Sequence, residues 1–397
     1  MPTISHRAQI LPQSPIRKLT PYAEKAAKEG KTIYHLNIGQ PDIKTPEIAV
    51  QAVKDFTPKV LEYTKSEGID SLREKVVEYY KKHDIKVESS DIIITCVGSE
   101  ALTYVIATVA NADDEIIIPE PYYANYISFS EAFDAVCVPI TSSFDDNFAL
   151  PPIEEFEKKI TPKTKAFLIC NPGNPTGYLY SKEEILQLAA IAKKYDIFLI
   201  FDEVYREFVY DGATHYSIMQ VEDIEQNAIM IDSVSKRFSM CGARIGWVVS
   251  KNKDVMMSVL KFAQARLSPP TYSQIGAERA FDVPETYFEE VLKEYTQRRN
   301  VLIEELRKVE GVRVSMPKGA FYCIAELPVE NAEDFCIWLL DHFSVNNETV
   351  MLAPAEGFYA TEGLGRNQVR IAYVLEKEKI VKAIHILGEA LKEYNKH

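Results

Sequence analysis

Nowhere in this chain do about 18 apolar residues follow one another, the length a helix needs to cross a bilayer, so no membrane span is expected. Basic residues are in deficit: 45 Lys and Arg against 58 Asp and Glu leave a net charge of −13. Such a balance repels nucleic-acid backbones and anionic membrane surfaces, and neither is an expected partner. The six cysteines (Cys96, Cys137, Cys170, Cys241, Cys323, Cys336) form no Cys-x-x-Cys pair and have mostly apolar neighbours, as in Leu168-Ile169-Cys170. They read as reduced, small core residues of a cytosolic protein. The opening Met1 to Arg7 lacks a basic stretch followed by an apolar run, so the expected compartment is the cytoplasm. The seven histidines include no His-Glu-x-x-His, and there is neither a Gly-x-x-x-x-Gly-Lys-Ser/Thr phosphate loop nor a Gly-x-Ser-x-Gly elbow. No internal repeat or low-complexity tract is present.

What is present is an ordinary globular composition, 46% hydrophobic and 26% charged, over 397 residues. At about 150 residues per domain this predicts two domains, each able to bury a core. From about residue 70 to 250 helical patterns alternate with short apolar runs. Leu72 to Lys82 is helical, and Ile92–Ile94, Glu115–Ile118, Ala166–Ile169, Phe198–Phe201 and Ile229–Ile231 each read as a buried strand. The alternation predicts an α/β fold with a parallel, doubly wound sheet, whose ligands bind beyond the carboxyl ends of the strands. Around Pro269-Pro270 it stops, and a long charged helix (about Val283 to Val309, with Glu289 to Glu310 as a solvated face) leads into a smaller α+β domain. The first 45 residues carry five prolines and no long periodic segment, as suits an arm lying on the small domain or on a second subunit. The expected division is an arm at 1–45, a large domain at 46–275 and a small domain at 276–397.

The residues just after the apolar runs are the informative ones. Lys236 lies in Asp232-Ser-Val-Ser-Lys-Arg-Phe238, with Ser233 and Ser235 beside it and Arg244 eight residues on. A lysine at a strand end is ordinarily a surface charge. An amine that forms a Schiff base, however, needs a dry pocket, and if the carbonyl belongs to a phosphorylated cofactor, hydroxyls and an arginine must cradle a charge of about −1.5 to −2. Asp202 ends the run Ile197–Phe201; it reads as a cap or, facing a pyridine nitrogen, as the carboxylate that keeps that nitrogen protonated. Tyr205, one helical turn on, would donate a hydrogen bond to a ring hydroxyl. Asn171-Pro-Gly-Asn174-Pro-Thr-Gly177 is a rigid loop that leaves Asn174 free to face a ligand. Val97-Gly98-Ser99-Glu100 opens a helix, whose free N–H groups form an anion site. Arg370, within Gln368–Ala372, is an edge-strand charge or a carboxylate fork, and Tyr322 is strand core or pocket wall.

Together, Asn37-x-Gly39-x-Pro-Asp42, Asn171-Pro-x-Asn-Pro-Thr-Gly177, Asp202-Glu-x-Tyr205 and Ser233-x-Ser-Lys236-x7-Arg244 stand in the order and at roughly the spacing of the class I/II pyridoxal-phosphate aminotransferases of fold type I. The chain resembles that family over about residues 15 to 395, and most of all its aspartate aminotransferase-like subgroup. The resemblance implies a large domain with a mostly parallel seven-stranded sheet flanked by helices, and pyridoxal 5'-phosphate as cofactor. It also implies that an amino acid and a 2-oxo acid, with 2-oxoglutarate the expected acceptor, are exchanged by ping-pong kinetics. Lys236 would carry the cofactor and move the substrate proton; Asp202 would pair with the ring nitrogen, and Asn174 and Tyr205 with the phenolic oxygen. Backbone at Gly98, Ser99 and Glu100, with Ser233, Ser235 and Arg244, would hold phosphate, and Tyr123 would stack on the ring. Arg370 would bind the α-carboxylate, with Gly39 giving it access to backbone, and the two domains would close on substrate. Tyr63 would reach the phosphate in the neighbouring subunit of a homodimer.

One departure concerns substrate choice. Some members place a lysine where this chain has Glu100, and that lysine helps to hold a dicarboxylate; a carboxylate there would repel it. Arg17 and Lys18 are substitutes or plain arm charges, so aromatic and small neutral donors stay open beside aspartate. Two other readings are β-elimination or C–S bond cleavage with the same cofactor, and a catalytically idle, ligand-sensing relative.

Overall fold

The computed structural model describes residues 2–396. After a short helix with no buried residues, His6–Ile10, come a longer helix, Thr20–Lys28, and a short strand, β1 (Thr32–His35). All lie in the segment expected to be an arm. The longer helix begins with Pro21 in its first turn, where a missing N–H costs nothing, and it buries only Ala23 and Ala26, too few apolar residues to show a period.

The next seven strands form one sheet: β2 (Ile92–Thr95), β3 (Glu115–Glu120), β4 (Val136–Thr141), β5 (Thr164–Cys170), β6 (Phe198–Asp202), β7 (Ala228–Ser233) and β8 (Gly246–Val249). Their order is β2-β8-β7-β6-β5-β3-β4, with β8 antiparallel to both neighbours and the other pairs parallel. The five apolar runs read from the sequence are β2, β3, β5, β6 and β7. The two strands that patterning did not mark are β4, an edge strand that holds Pro139 and is mostly half-buried, and β8, only four residues long. Helices cover both faces. Asp70–Lys81, Lys182–Tyr195 and Thr271–Ala280 pack on one side through Leu72, Val76, Ile185, Leu188 and Ala277. Val97–Val109 and Lys253–Arg266 pack on the other through Leu102, Val105, Val255 and Val259. The helix Lys182–Tyr195 is capped by Ser181, whose hydroxyl accepts the Glu184 N–H while Glu184 reaches back to Ser181, a reciprocal cap.

A 23-residue helix, Thr286–Lys308, then crosses to a second core. It turns Glu289, Glu290 and Glu304 to solvent and buries Tyr295, Leu302, Ile303 and Leu306 on its other face. The strands there are β9 (Arg313–Val314), β10 (Tyr322–Glu326), β11 (Glu348–Met351), β12 (Ala353–Pro354) and β13 (Gln368–Ala372). A four-stranded sheet runs β12-β13-β10-β9, and β11 pairs in parallel with β1. Leu19, Ala23, Tyr34 and Leu36 belong to this second core, so the chain's beginning and its last third share one interior. Among the described residues no helix is long and apolar enough to cross a membrane.

Candidate active site

Lys236 stands on a four-residue helix, Val234–Arg237, directly after β7, and its flanks are tied down. The Ser233 hydroxyl accepts the Ser235 N–H at 3.0 Å. Asp232, fully buried, accepts the Ser233 N–H at 2.7 Å, the Tyr80 hydroxyl at 2.8 Å and a guanidinium N–H of Arg237. An ion pair thus closes the turn on both sides of the lysine. Lys236 Nζ donates to the Gly39 carbonyl at 2.9 Å and lies 3.8 Å from Cys241 Sγ.

Around that ammonium is a cavity of about 360 Å³. Its wall includes Gly98, Ser99, Ser233, Ser235 and Arg244, then Asp202, Asn174, Tyr205 and Tyr123, and also Gly39, Tyr322 and Arg370. The anion cradle is built by close backbone approach. A Cβ on Gly246 of β8 would lie 2.7 Å from Gly98 N and 2.7 Å from Val97 C, so only glycine lets the start of the helix Val97–Val109 come this near the sheet. Val97 itself has φ +74°, a left-handed conformation costly for a β-branched side chain and held by this packing.

Asp202 is 6% exposed at the end of β6, and it accepts the Tyr126 hydroxyl at 2.8 Å and the Val204 N–H at 3.4 Å. Neither partner is a cation, and burial pushes the carboxyl up to about 6. Tyr205 is not one helical turn beyond it: residues 203–207 form successive turns, with Arg206 N–H on Glu203 O and Phe208 N–H on Tyr205 O. These still bring Tyr205 Oη to 3.5 Å from Asn174 Nδ2 and 2.9 Å from Tyr322 Oη. Burial raises the Tyr123 hydroxyl to about 12.

Arg370, on β13, is 1% exposed and sits 4.6 Å over the Tyr322 ring and 5.1 Å over Phe358. It donates to Asn174 Oδ1 at 3.1 Å and to the Asn37 carbonyl, while its Nε makes no hydrogen bond among the described residues. Burial lowers its pKa from the usual arginine value. Tyr322, read as strand core or pocket wall, is both: buried in β10 and in contact with the cavity. A Cβ on Gly39 would overlap the Tyr322 hydroxyl at 1.7 Å, so the glycine serves this contact as well as the Lys236 bond.

Two expected residues are not on the wall. Glu100 folds back, its carboxylate accepting the Cys96 N–H at 2.6 Å beside Arg266 at 3.6 Å, so the repulsion expected of it toward an acidic substrate does not act inside the cavity. Tyr63 is 78% exposed and lies outside. The sequence marks Asn37 only as a motif residue and Cys241 only as a core thiol, and it does not mark Tyr126, whose role depends on where Asp202 stands.

The donor set fits pyridoxal 5'-phosphate. A helix start, two hydroxyls and an exposed guanidinium suit a dianion; a buried carboxyl without a cationic partner suits a ring nitrogen that carries a proton; and an ammonium lies between them. The fold and this cavity therefore define a fold type I pyridoxal-phosphate enzyme.

The comparisons narrow the class. Residues 31–387 match the family described as aminotransferase class I and II. An aspartate aminotransferase of Pyrococcus horikoshii is 33% identical over 394 residues, 98% of this chain and 97% of that protein. An aromatic-amino-acid aminotransferase of Thermococcus litoralis is 31% identical, covering 98% of each. Among solved structures, an alanine aminotransferase from Pyrococcus furiosus superposes with a TM-score of 0.90 at 28% identity, over 98% of this chain and 100% of that one. The chain belongs to the class I and II aminotransferases and is an enzyme of amino-group transfer.

Proposed function

We propose that the protein moves the amino group of an L-amino acid, aspartate or an aromatic one, to 2-oxoglutarate by a ping-pong route, as a cytoplasmic homodimer. The observation that carries this reading is the position of Lys236 Nζ in one cavity between an anion cradle and the buried Arg370. When bound, pyridoxal phosphate supplies the electron sink that makes a substrate's α-proton removable.

The chain's residues do the rest. Gly98, Ser99, Ser233, Ser235 and Arg244 hold the phosphate, with backbone at Glu100 completing the helix start. Asp202 keeps the ring nitrogen protonated, Tyr205 and Asn174 bond the phenolic oxygen, and Tyr123 stacks on the ring. Arg370 binds the α-carboxylate through its planar fork, oriented by Asn174 and by the Asn37 carbonyl. Lys236, freed from its bond to Gly39 O, moves the proton at the substrate α-carbon. Arg370 stands on β13 of the smaller sheet and Lys236 directly after β7 of the larger one, so substrate draws the 276–397 domain and the 1–45 arm onto the 46–275 domain and expels water. Tyr63 reaches the phosphate of the neighbouring subunit.

Borohydride reduction of the holoenzyme followed by peptide mapping is expected to place the cofactor on Lys236, and an adduct on any other lysine overturns the assignment. Initial rates at several oxo-acid concentrations are expected to give parallel double-reciprocal lines.

A further inference from the structure

We infer that Arg237 is a positioning residue for Lys236, an inference that rests on the cofactor attachment proposed above. Anchored on the far side of the turn, Arg237 aims the amine into the cavity and neutralises the buried Asp232 carboxylate behind it. At the ends of β6 and β7 neighbouring residues face opposite ways. Asp202, Ser233, Ser235 and Lys236 line the cavity, whereas Glu203, Asp232 and Arg237, each next to one of them in sequence, are buried away from it.

Behind the wall these residues build a second polar layer. Arg237, 1% exposed, donates to Asp232 and lies 4.3 Å over the Tyr79 ring and 5.6 Å over Trp247. Tyr80 ties the pair to β8, since its hydroxyl donates to Asp232 at 2.8 Å and accepts Trp247 Nε1–H at 2.7 Å. The other charges facing the pair are Glu207, 3.9 Å from Arg237 Nε and bonded to the Tyr79 hydroxyl, and Arg206, 4.0 Å from Asp232 and 3.7 Å from Glu203. His83 stacks on Tyr79 at 4.7 Å.

A buried ion pair is seldom more stabilising than apolar residues of the same volume, and this one lies among Val234, Phe238 and Trp247, so its presence calls for a role other than stability. Direction is that role. The single turn Val234–Arg237 is too short to hold itself, and successive helical side chains point about 100° apart, so fixing Arg237 against Tyr79 and Trp247 sends Lys236 the other way. Charge is the second role. Asp232 stands one residue past the β6–β7 partners Asp202 and Ile231, and its charge pushes the Asp202 carboxyl up while Lys236 pulls it down. Arg237 offsets that charge where it arises.

The test compares wild type, Arg237→Lys, Arg237→Gln and the double variant Asp232→Asn/Arg237→Gln, each loaded with pyridoxal phosphate. The readouts are cofactor Kd by fluorescence, circular dichroism of the visible band, which follows cofactor orientation, the pH midpoint of visible absorbance, and melting of the cofactor-free protein. Arg237→Gln is expected to raise Kd about tenfold, weaken the dichroism and move the midpoint up by about one pH unit, as an uncompensated carboxylate favours nearby positive charge. The double variant, with neither charge, is expected to regain the wild-type midpoint but not the dichroism. Arg237→Lys, which keeps the charge without the planar fork, is expected to keep the midpoint and part of the affinity. An unchanged midpoint in Arg237→Gln, or dichroism of wild-type strength in the double variant, overturns the inference, even where melting falls. Where Arg237→Gln does not fold, the dichroism of the other two variants decides. Borohydride mapping of the wild type separates the premise: an adduct on another lysine overturns the attachment and this inference together, whereas with the adduct on Lys236 the variants decide on Arg237 alone.

Discussion

Asp202 shows how a single side chain's position sets its chemistry. A free aspartate titrates near 3.8, but burial at the end of β6 pushes this one up to about 6, against the opposing pull of the Tyr126 hydroxyl that it accepts. The folded, cofactor-free protein then keeps a proton that the unfolded chain has already lost, so this group's contribution to stability falls as pH rises through that window. At about 1.4 kcal/mol per pKa unit the loss is on the order of 3 kcal/mol above pH 6. Glu203, pushed up to about 7 by burial, extends the decline. Urea unfolding of cofactor-free wild type and Asp202→Asn at pH 4.5 and 7.5 is expected to show a smaller fall for the variant. Identical falls would mean that Asp202 is charged in both states. A bound ring nitrogen bearing a proton relieves this cost, so the same residue that weakens the empty protein favours the loaded one.

The phosphate cradle is a property of two elements in contact, β8 and the helix Val97–Val109. No side chain at position 246 fits between them, because the atoms a Cβ would meet are backbone: Gly98 N, Val97 C and Asp232 O, at 2.7, 2.7 and 2.8 Å. Gly246→Ala is therefore expected to push the helix start away from Ser233, costing about 1–3 kcal/mol of overpacking. Cofactor affinity is expected to drop more than the midpoint of thermal unfolding suggests, because the helix N–H groups lose their aim. A fluorescence titration with pyridoxal phosphate beside a melting curve measures both, and full affinity in a destabilised variant would refute the coupling. In the sequence this glycine belongs to no marked strand; the pattern Ser233-x-Ser-Lys236-x7-Arg244 marks the neighbourhood but not the contact.

For the molecule as a whole, the segment holding Val60, Leu61 and Tyr63 is 68%, 55% and 78% exposed, and an apolar run left in water is a surface suited to a second copy. If Tyr63 serves the neighbouring site, two inactive variants complement each other. Lys236→Ala mixed with Tyr63→Ala is expected to regain activity as subunits exchange, since one site of each mixed dimer then carries both native residues. No recovery despite exchange verified by sedimentation would place Tyr63 elsewhere.

The sequence by itself determined the parts whose signal is local. Each of Ser99, Asn174, Asp202 and Lys236 follows an apolar run that becomes a strand buried on both faces, and chemistry in such sheets gathers at the strand ends, so order along the chain was enough to find them. Arg370 stayed open between edge charge and ligand because a strand pattern does not say what faces it; β13 lies between β12 and β10, so Arg370 is no edge charge, and it lines the cavity with bonds to Asn174 and Asn37. Glu100 turned away because Cys96 N–H and Arg266 lie on the far side of its helix start, and Arg17 lines the cavity because Asn37, Gly357 and the Phe358 cluster pin its turn. A backbone pattern is set by neighbours in sequence, whereas a side chain's direction is set by whichever distant groups satisfy its charge and fill its space, and only the folded chain brings those together.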